Sequence, residues 1–433
     1  MGIVSEKIIK NDRLGESYRT VTHSSGCTVS LYPMKGFSST YALFGTKYGS
    51  VDTTFKTDSD RDFLTVPEGI AHYLEHKLFE NEDCDAFEKY AKTGANANAY
   101  TSFDRTAYLF SCSRAFEENL RILLGFVTSP YFTDKSVAKE QGIIGQEIKM
   151  YDDSPGWVVF FNCLEAMYAN NPVRINIAGT TDSIAKIDKD LLYRCYNTFY
   201  NPHNMAIAVA GDFDPDVVLK ICDELLKPEL CSADPHLVTK VPDEPPAVVK
   251  RSVQQKMSCT VPMWNIGFKL PDNLGDIDKS AEVKYDIFWT LVLGDTSRFY
   301  NTSYESGIIN DTFSSSLMTG RGFFSLMASG EGRNPERIYE AILDEFRKLK
   351  SGDGLDTLES EFEIVRKKKY GDVVARFDSV SSVASAMLDG YLLGVTAYHD
   401  MEAAAEVTFD DMKQILDTFD FENSTLSVVA DSF

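Results

Sequence analysis

Histidine and tryptophan are scarce in this chain: six His and three Trp in 433 residues. The eight cysteines form no C-x-x-C pair and none lies beyond Cys259. That removes a zinc ribbon or a thiol redox motif and leaves them as reduced core residues of a cytoplasmic protein. No uninterrupted apolar run reaches about 18 residues, so a membrane-spanning helix is not expected. The opening MGIVSEKIIKNDRLGE lacks the apolar core and small-residue cleavage site of an export signal. Met1-Gly2 followed by Ser5 superficially matches a myristoylation start, but no polybasic stretch supports an anchor. Positive charge is also in deficit, with 43 Lys plus Arg against 65 Asp plus Glu and a net charge of -22. That balance argues against nucleic acid and anionic membranes as partners. A basic substrate would benefit from it, although a solubilising surface accounts for it more simply.

Two of the six histidines fall in one pentapeptide, HYLEH at 72–76. On a helix, positions i, i+3 and i+4 share a face, so His72, Glu75 and His76 converge. Two imidazoles one turn apart suit zinc, and the carboxylate between them is placed to take a proton from a water on that metal. The order H-x-x-E-H reverses H-E-x-x-H. Pro67 is expected in the first turn with Glu68 near the positive helix end, and Ile70, Leu74 and Leu78 form a stripe to be buried. A helix with two ordinary surface histidines is the simpler alternative, which the scarcity of histidine weighs against.

The length exceeds one ordinary core and suggests two domains of about 200 residues. Segments Cys27–Tyr32 and Ser39–Phe44 read as antiparallel strands. A helix from about Cys84 to Lys92 ends at Thr93-Gly94, and ANANAYTSFDRTAYLFSCS reads as two strands turning at Phe103-Asp104-Arg105. Within it, Asn98, Ala99, Tyr100 and Thr101 form a short strand able to pair with an extended peptide, or an ordinary interior strand. Thr133 caps a helical pattern reaching Tyr151, on which Glu140 and Glu147 share a face and either could reach the metal.

Taken together, these motifs resemble the insulinase and pitrilysin-like zinc metallopeptidases, the inverzincins that include processing peptidases. Besides HYLEH the resemblance rests on NANAYTS, EQGIIGQEIKMYDDSPGW, PVRINIAGTTDSIAKI and FYNPHNMAIAVAGDFDP, in that order. It implies His72, His76 and Glu147 as ligands of one zinc, Glu75 as catalytic base, and Glu140 as a carboxylate orienting a ligand histidine. It also implies Asn98 to Thr101 as substrate-binding.

Five prolines from Pro228 to Pro246 suggest a stiff connection, with domains at 1–227 and 248–433 and a linker at 228–247. NSTLSVVAD at 423–431 lines up with NMAIAVAGD at 204–212, so the second half reads as a weakened repeat of the first. It lacks the chemistry: FWTLVLGDTSRFY stands where the histidines would be, and Lys368 stands where Glu147 would be. The family's substrate-holding Arg and Tyr are also missing, with Ser303 and Asn310 in their places around Gly307. The expected fold is α+β: two related domains, each an antiparallel sheet with packed helices, facing across a cleft. The expected function is a zinc metalloendopeptidase acting on extended peptides, alone, as a homodimer, or as a heterodimer with a related chain that supplies the clamp. A noncatalytic peptide-binding or scaffold subunit is the alternative.

Overall fold

The computed structural model describes residues 2–226 and 234–433, so the expected linker's residues 228–233 lie outside the described part. The described strands are β1 (Ile3–Asn11), β2 (Glu16–His23), β3 (Thr28–Pro33), β4 (Thr40–Thr46), β5 (Thr54–Lys56), β6 (Leu64–Thr65), β7 (Asn96–Thr101), β8 (Thr106–Cys112), β9 (Met205–Gly211) and β10 (Val238–Thr239), then β11 (Ser252–Lys256), β12 (Met263–Lys269), β13 (Ser314–Gly320), β14 (Phe323–Glu331) and β15 (Ser424–Ala430). A seven-stranded sheet runs β1-β2-β3-β9-β4-β8-β7 and a five-stranded one runs β11-β15-β12-β14-β13. A small third sheet, β10-β5-β6, shows that part of the proline-rich segment is itself paired strand.

The two large sheets repeat one plan. Strand β9 lies parallel to β3 and antiparallel to β4, and β15 lies parallel to β11 and antiparallel to β12. Thus β3 and β4, expected as antiparallel strands, do run antiparallel, with β9 between them arriving after the long crossover a parallel pairing requires. All other pairings in these sheets are antiparallel. The mixed α+β class and the internal repeat expected from the sequence are both present.

The compact units interleave along the chain. The first comprises residues 1–148, 177–240 and 375–399, and the second 149–176, 241–374 and 400–433. This departs from a contiguous division at 227 and 248, because one covering helix in each unit is drawn from the other half of the sequence. In the first unit Val380–Leu393 packs on β9, β4 and β3; in the second Pro155–Met167 packs on β12, β15 and β11. Close approach explains a matching pair of glycines. A Cβ on Gly45 of β4 would stand 2.8 Å from the Leu388 methyls, and one on Gly267 of β12 would stand 2.4 Å from Met167 Sδ. Alanines 206, 208 and 210 of β9 likewise join Met387 and Leu388 in one buried cluster.

Helices Ile70–Phe79 and Phe116–Val127 pack on the β8 side of the first sheet. The second sheet is backed by Ala281–Leu293, Pro335–Lys350 and Phe409–Thr418 around Trp289, Phe346 and Phe419. The expected FWTLVL counterpart of the HYLEH helix lies in Ala281–Leu293, and Lys368 lies on Leu355–Ala375, a long helix like Asp134–Asp152. All seven described cysteines are free thiols.

Candidate metal centre

The HYLEH helix spans Ile70–Phe79, and its expected stripe is buried, with Ile70, Leu74 and Leu78 each at most 3% exposed. Its start differs from expectation. Pro67 and Glu68 precede the helix, which begins after Gly69 in the left-handed conformation at φ 87°. A Cβ there would also stand 2.4 Å from the Ala178 carbonyl oxygen, while the Ser183 hydroxyl donates to the Glu68 carbonyl at 2.9 Å. The IAGTTDS segment therefore seats the helix start. Gly69→Ala is expected to cost about 2–4 kcal/mol, from left-handed strain plus overpacking. Hydrogen-exchange protection of Ile70–Phe79 should fall with it; unchanged protection and melting temperature would refute that role.

The second contributing helix, Asp134–Asp152, opens with the expected cap: Thr133 Oγ1 accepts from the Ser136 amide at 3.1 Å, and Ser136 Oγ accepts from Thr133 at 3.1 Å. The Tyr73 hydroxyl donates to the Val137 carbonyl at 2.5 Å, locking one helix to the other. This lock sets Glu140 and Glu147 opposite the histidines. Glu140 Oε1 bonds His76 Nδ1 at 3.0 Å. Glu147 places Oε1 3.6 Å from His72 Nε2 and Oε2 3.5 Å from His76 Nε2. Donor atoms of His72, His76 and Glu147 all lie within 4.8 Å of one another.

These distances favour a shared cation over direct hydrogen bonds. An N–H···O bond is usually about 2.9–3.0 Å, whereas two donors on a tetrahedral zinc at about 2.0–2.1 Å stand roughly 3.3–3.4 Å apart. The donor chemistry agrees. An ionised carboxylate only accepts, so Glu140 accepts the hydrogen bond donated by His76 Nδ1–H, which leaves His76 Nε2, facing Glu147, free to coordinate. His72 Nδ1 is buried without a hydrogen-bond partner among the described residues. Two imidazole nitrogens and a carboxylate at these separations fit a zinc ion.

The electrostatics follow from burial and neighbours. Burial, helped by the charge of His76, pushes the His72 pKa down to about 4, so its ring is neutral near pH 7. Burial acts the same way on His76, but the Glu140 hydrogen bond and the charges of Glu75, Glu140 and Glu147 outweigh it and raise its pKa. For Glu140, burial favours the acid, yet the His76 contact prevails and lowers the pKa. Glu75 is raised above the usual carboxylate range by burial, against the Thr101 hydrogen bond and the charge of His76.

Strand β7 lies at the sheet edge next to the HYLEH helix. Its alternation divides the four residues expected to bind substrate: Asn98 and Tyr100 are exposed and Ala99 is half-buried. The Thr101 hydroxyl instead donates to Glu75 Oε2 at 2.6 Å. In the second unit, Ser303 is only 5% exposed, and its carbonyl accepts from Ile308 and Ile309. Asn310 is engaged by Glu331 and Thr312. Both are engaged in local contacts there; the exposed large hydrophobic side chain of that segment is Tyr304.

Residues 66–181, which hold HYLEH, Glu140 and Glu147, match the family description Insulinase (Peptidase family M16), and residues 186–369 match Peptidase M16 inactive domain. A Bacillus subtilis (strain 168) protein described as an uncharacterized zinc protease, YmfH, is 38% identical over 412 residues, covering 95% of each chain. A crystal structure described as an M16-like peptidase, from Alicyclobacillus acidocaldarius, superposes with a TM-score of 0.89 at 32% identity, over 95% of this chain and 97% of that one. A protease from Helicobacter pylori shares the fold, with a TM-score of 0.79 at 18% identity over 95% of this chain and 99% of that one. Motifs, repeated fold and full-length similarity agree, and the chain belongs to peptidase family M16, the insulinase family.

Proposed function

We propose that this M16 chain is a zinc-dependent metalloendopeptidase that hydrolyses peptides or small unfolded polypeptides bound in extended form. The observation that carries the reading is the convergence of His72, His76 and Glu147 donors within 4.8 Å. Zinc bound there, one per chain, supplies a Lewis acid that acidifies water and polarises a carbonyl. Glu75 lies on the same helix face as both histidines. It accepts the proton of the attacking water and returns it to the leaving amine. Glu140 holds His76 in the tautomer that leaves Nε2 free to coordinate. The substrate backbone adds to the outer edge of β7, with Asn98, Ala99 and Tyr100 beside it. At that edge the Ala99 amide is bonded to Asn98 Oδ1 at 2.9 Å, a contact that an incoming carbonyl replaces.

The test combines zinc stoichiometry with hydrolysis of a peptide library read by mass spectrometry. One zinc and cleavage at internal bonds are expected. One zinc without cleavage would instead favour a peptide-binding or scaffold subunit. Rates measured across protein concentration, and with a related chain added, address the missing clamp. A rise in either arm assigns those donors to a second copy or to a heterologous partner. Glu140→Ala is expected to weaken zinc binding about 10- to 100-fold without abolishing the site, as loss of an outer carboxylate does. Unchanged affinity in a competition assay would remove Glu140 from that role.

A further inference from the structure

Resting on the peptidase reading above, we propose that Thr101 is a positioning residue for the general base, its hydroxyl fixing which oxygen of Glu75 meets the reacting water. The terminal torsion of a glutamate is broad, so a carboxylate on a helix does not orient itself. Thr101 supplies the constraint through a 2.6 Å bond to Glu75 Oε2, the length of a charge-assisted hydroxyl contact.

Proton counting makes the contact specific. Thr101 has one hydroxyl hydrogen and two nearby acceptors, Glu75 at 2.6 Å and Thr106 Oγ1 at 3.4 Å. Thr106 gives its own hydrogen to the Tyr48 carbonyl at 2.8 Å. The Glu75 carboxylate is the closer acceptor, at 2.6 against 3.4 Å, so it accepts the Thr101 hydroxyl hydrogen bond. With Oε2 engaged, Oε1 is the oxygen left to receive a proton from water.

The support behind Thr101 is rigid. Thr101 and Thr106 face each other across the β7–β8 hairpin, whose turn closes with Ser102 N–H donating to the Arg105 carbonyl at 2.8 Å. The turn is pinned in place by the Ser50 and Val51 amides, which donate to the Ser102 and Phe103 carbonyls at 3.0 and 2.9 Å. A β-branched side chain adds stiffness at χ1. Thr101 thus acts through Glu75, whereas Asn98 and Tyr100 face outward from the same strand.

Three variants, Thr101→Val, Thr101→Ala and Thr101→Ser, test the proposal, with zinc content and melting temperature checked for each. Loss of the hydroxyl in Val or Ala is expected to lower kcat about 10- to 100-fold with KM nearly unchanged, the scale on which small misplacements act. Ser keeps the donor and should stay within about threefold of wild type, losing only χ1 stiffness. Alanine decides the matter if valine fails to fold. Crystal structures of the zinc-loaded proteins give a reading independent of turnover: Glu75 bonded to residue 101 in wild type and Ser, and reoriented in Val or Ala. Unchanged kcat with Glu75 unmoved would overturn the proposal, as would a change confined to KM, which marks a substrate contact. If wild type cleaves no peptide, the peptidase reading fails, and the crystallographic comparison still decides the role of Thr101.

Discussion

Glu75→Gln protein is expected to carry one zinc, melt with wild type, and hydrolyse peptides about 100- to 10,000-fold more slowly, the range set by loss of a general base. The substitution isolates proton transfer from geometry. Glutamine keeps the shape of glutamate, and its amide oxygen can still accept the Thr101 hydroxyl that lies 2.6 Å from Glu75 Oε2. It cannot accept a proton near neutral pH. Neither Glu147 nor Glu140 can substitute, because Glu147 faces both imidazoles and Glu140 is bonded to His76. Because binding should survive, the variant should retain uncleaved peptide, so substrates can be recovered from it. A rate within a few-fold of wild type at equal zinc content would show that the base is another group.

Much of this site was legible in the sequence because helical periodicity is local. The spacing of His72, Glu75 and His76 determines their common face, and the Ile70, Leu74, Leu78 stripe determines which face is buried. The roles of Glu140 and Glu147 were not separable by spacing, since residues seven apart lie almost one above the other. What separates them is the packing of the two helices, tied by Tyr73 and Val137, which puts Glu140 on His76 Nδ1 and Glu147 between the two Nε2 atoms. Composition alone leaves the four residues ending in Thr101 as a peptide-pairing strand or an ordinary interior strand, whereas period-two alternation puts its members on opposite faces. The helix start was misplaced because proline and glutamate are ordinary first-turn residues, while Gly69 is required by the Ala178 backbone packed against it.

Domain organisation was legible only in part, for a similar reason. NSTLSVVAD and NMAIAVAGD do mark equivalent central strands, β15 and β9. The proline cluster marks a stiff segment, yet composition cannot say which sheet a helix will cover. PGWVVFFNCLEAM is apolar on most sides, which predicts burial without naming the partner. Only the glycine opposite each covering helix, Gly45 or Gly267, carries a trace of the exchange, and it becomes readable once the strands are paired.

Removing any one of His72, His76 or Glu147 is expected to abolish stoichiometric zinc and, with it, turnover. His72→Ala, His76→Ala and Glu147→Ala each leave two protein donors where a catalytic zinc site uses three plus water. The affinity loss should exceed the roughly 10- to 100-fold of an outer carboxylate such as Glu140, and the rate loss should at least match the about 100- to 10,000-fold of base removal. The fold should survive, because Leu74 and Leu78 remain buried and the Tyr73 hydroxyl still bonds Val137. Metal-free wild type should therefore keep its circular dichroism and regain activity when one equivalent of zinc is returned. Elemental analysis and a chelator titration read the outcome directly. Full zinc retention in Glu147→Ala would remove that residue from the ligand set and make Glu140 the next candidate. That exchange would cost His76 the partner that fixes its tautomer, so the Glu147 variant should then become sensitive to Glu140→Ala, whereas the assignment drawn from the 3.5 and 3.6 Å contacts leaves no zinc for a second change to remove.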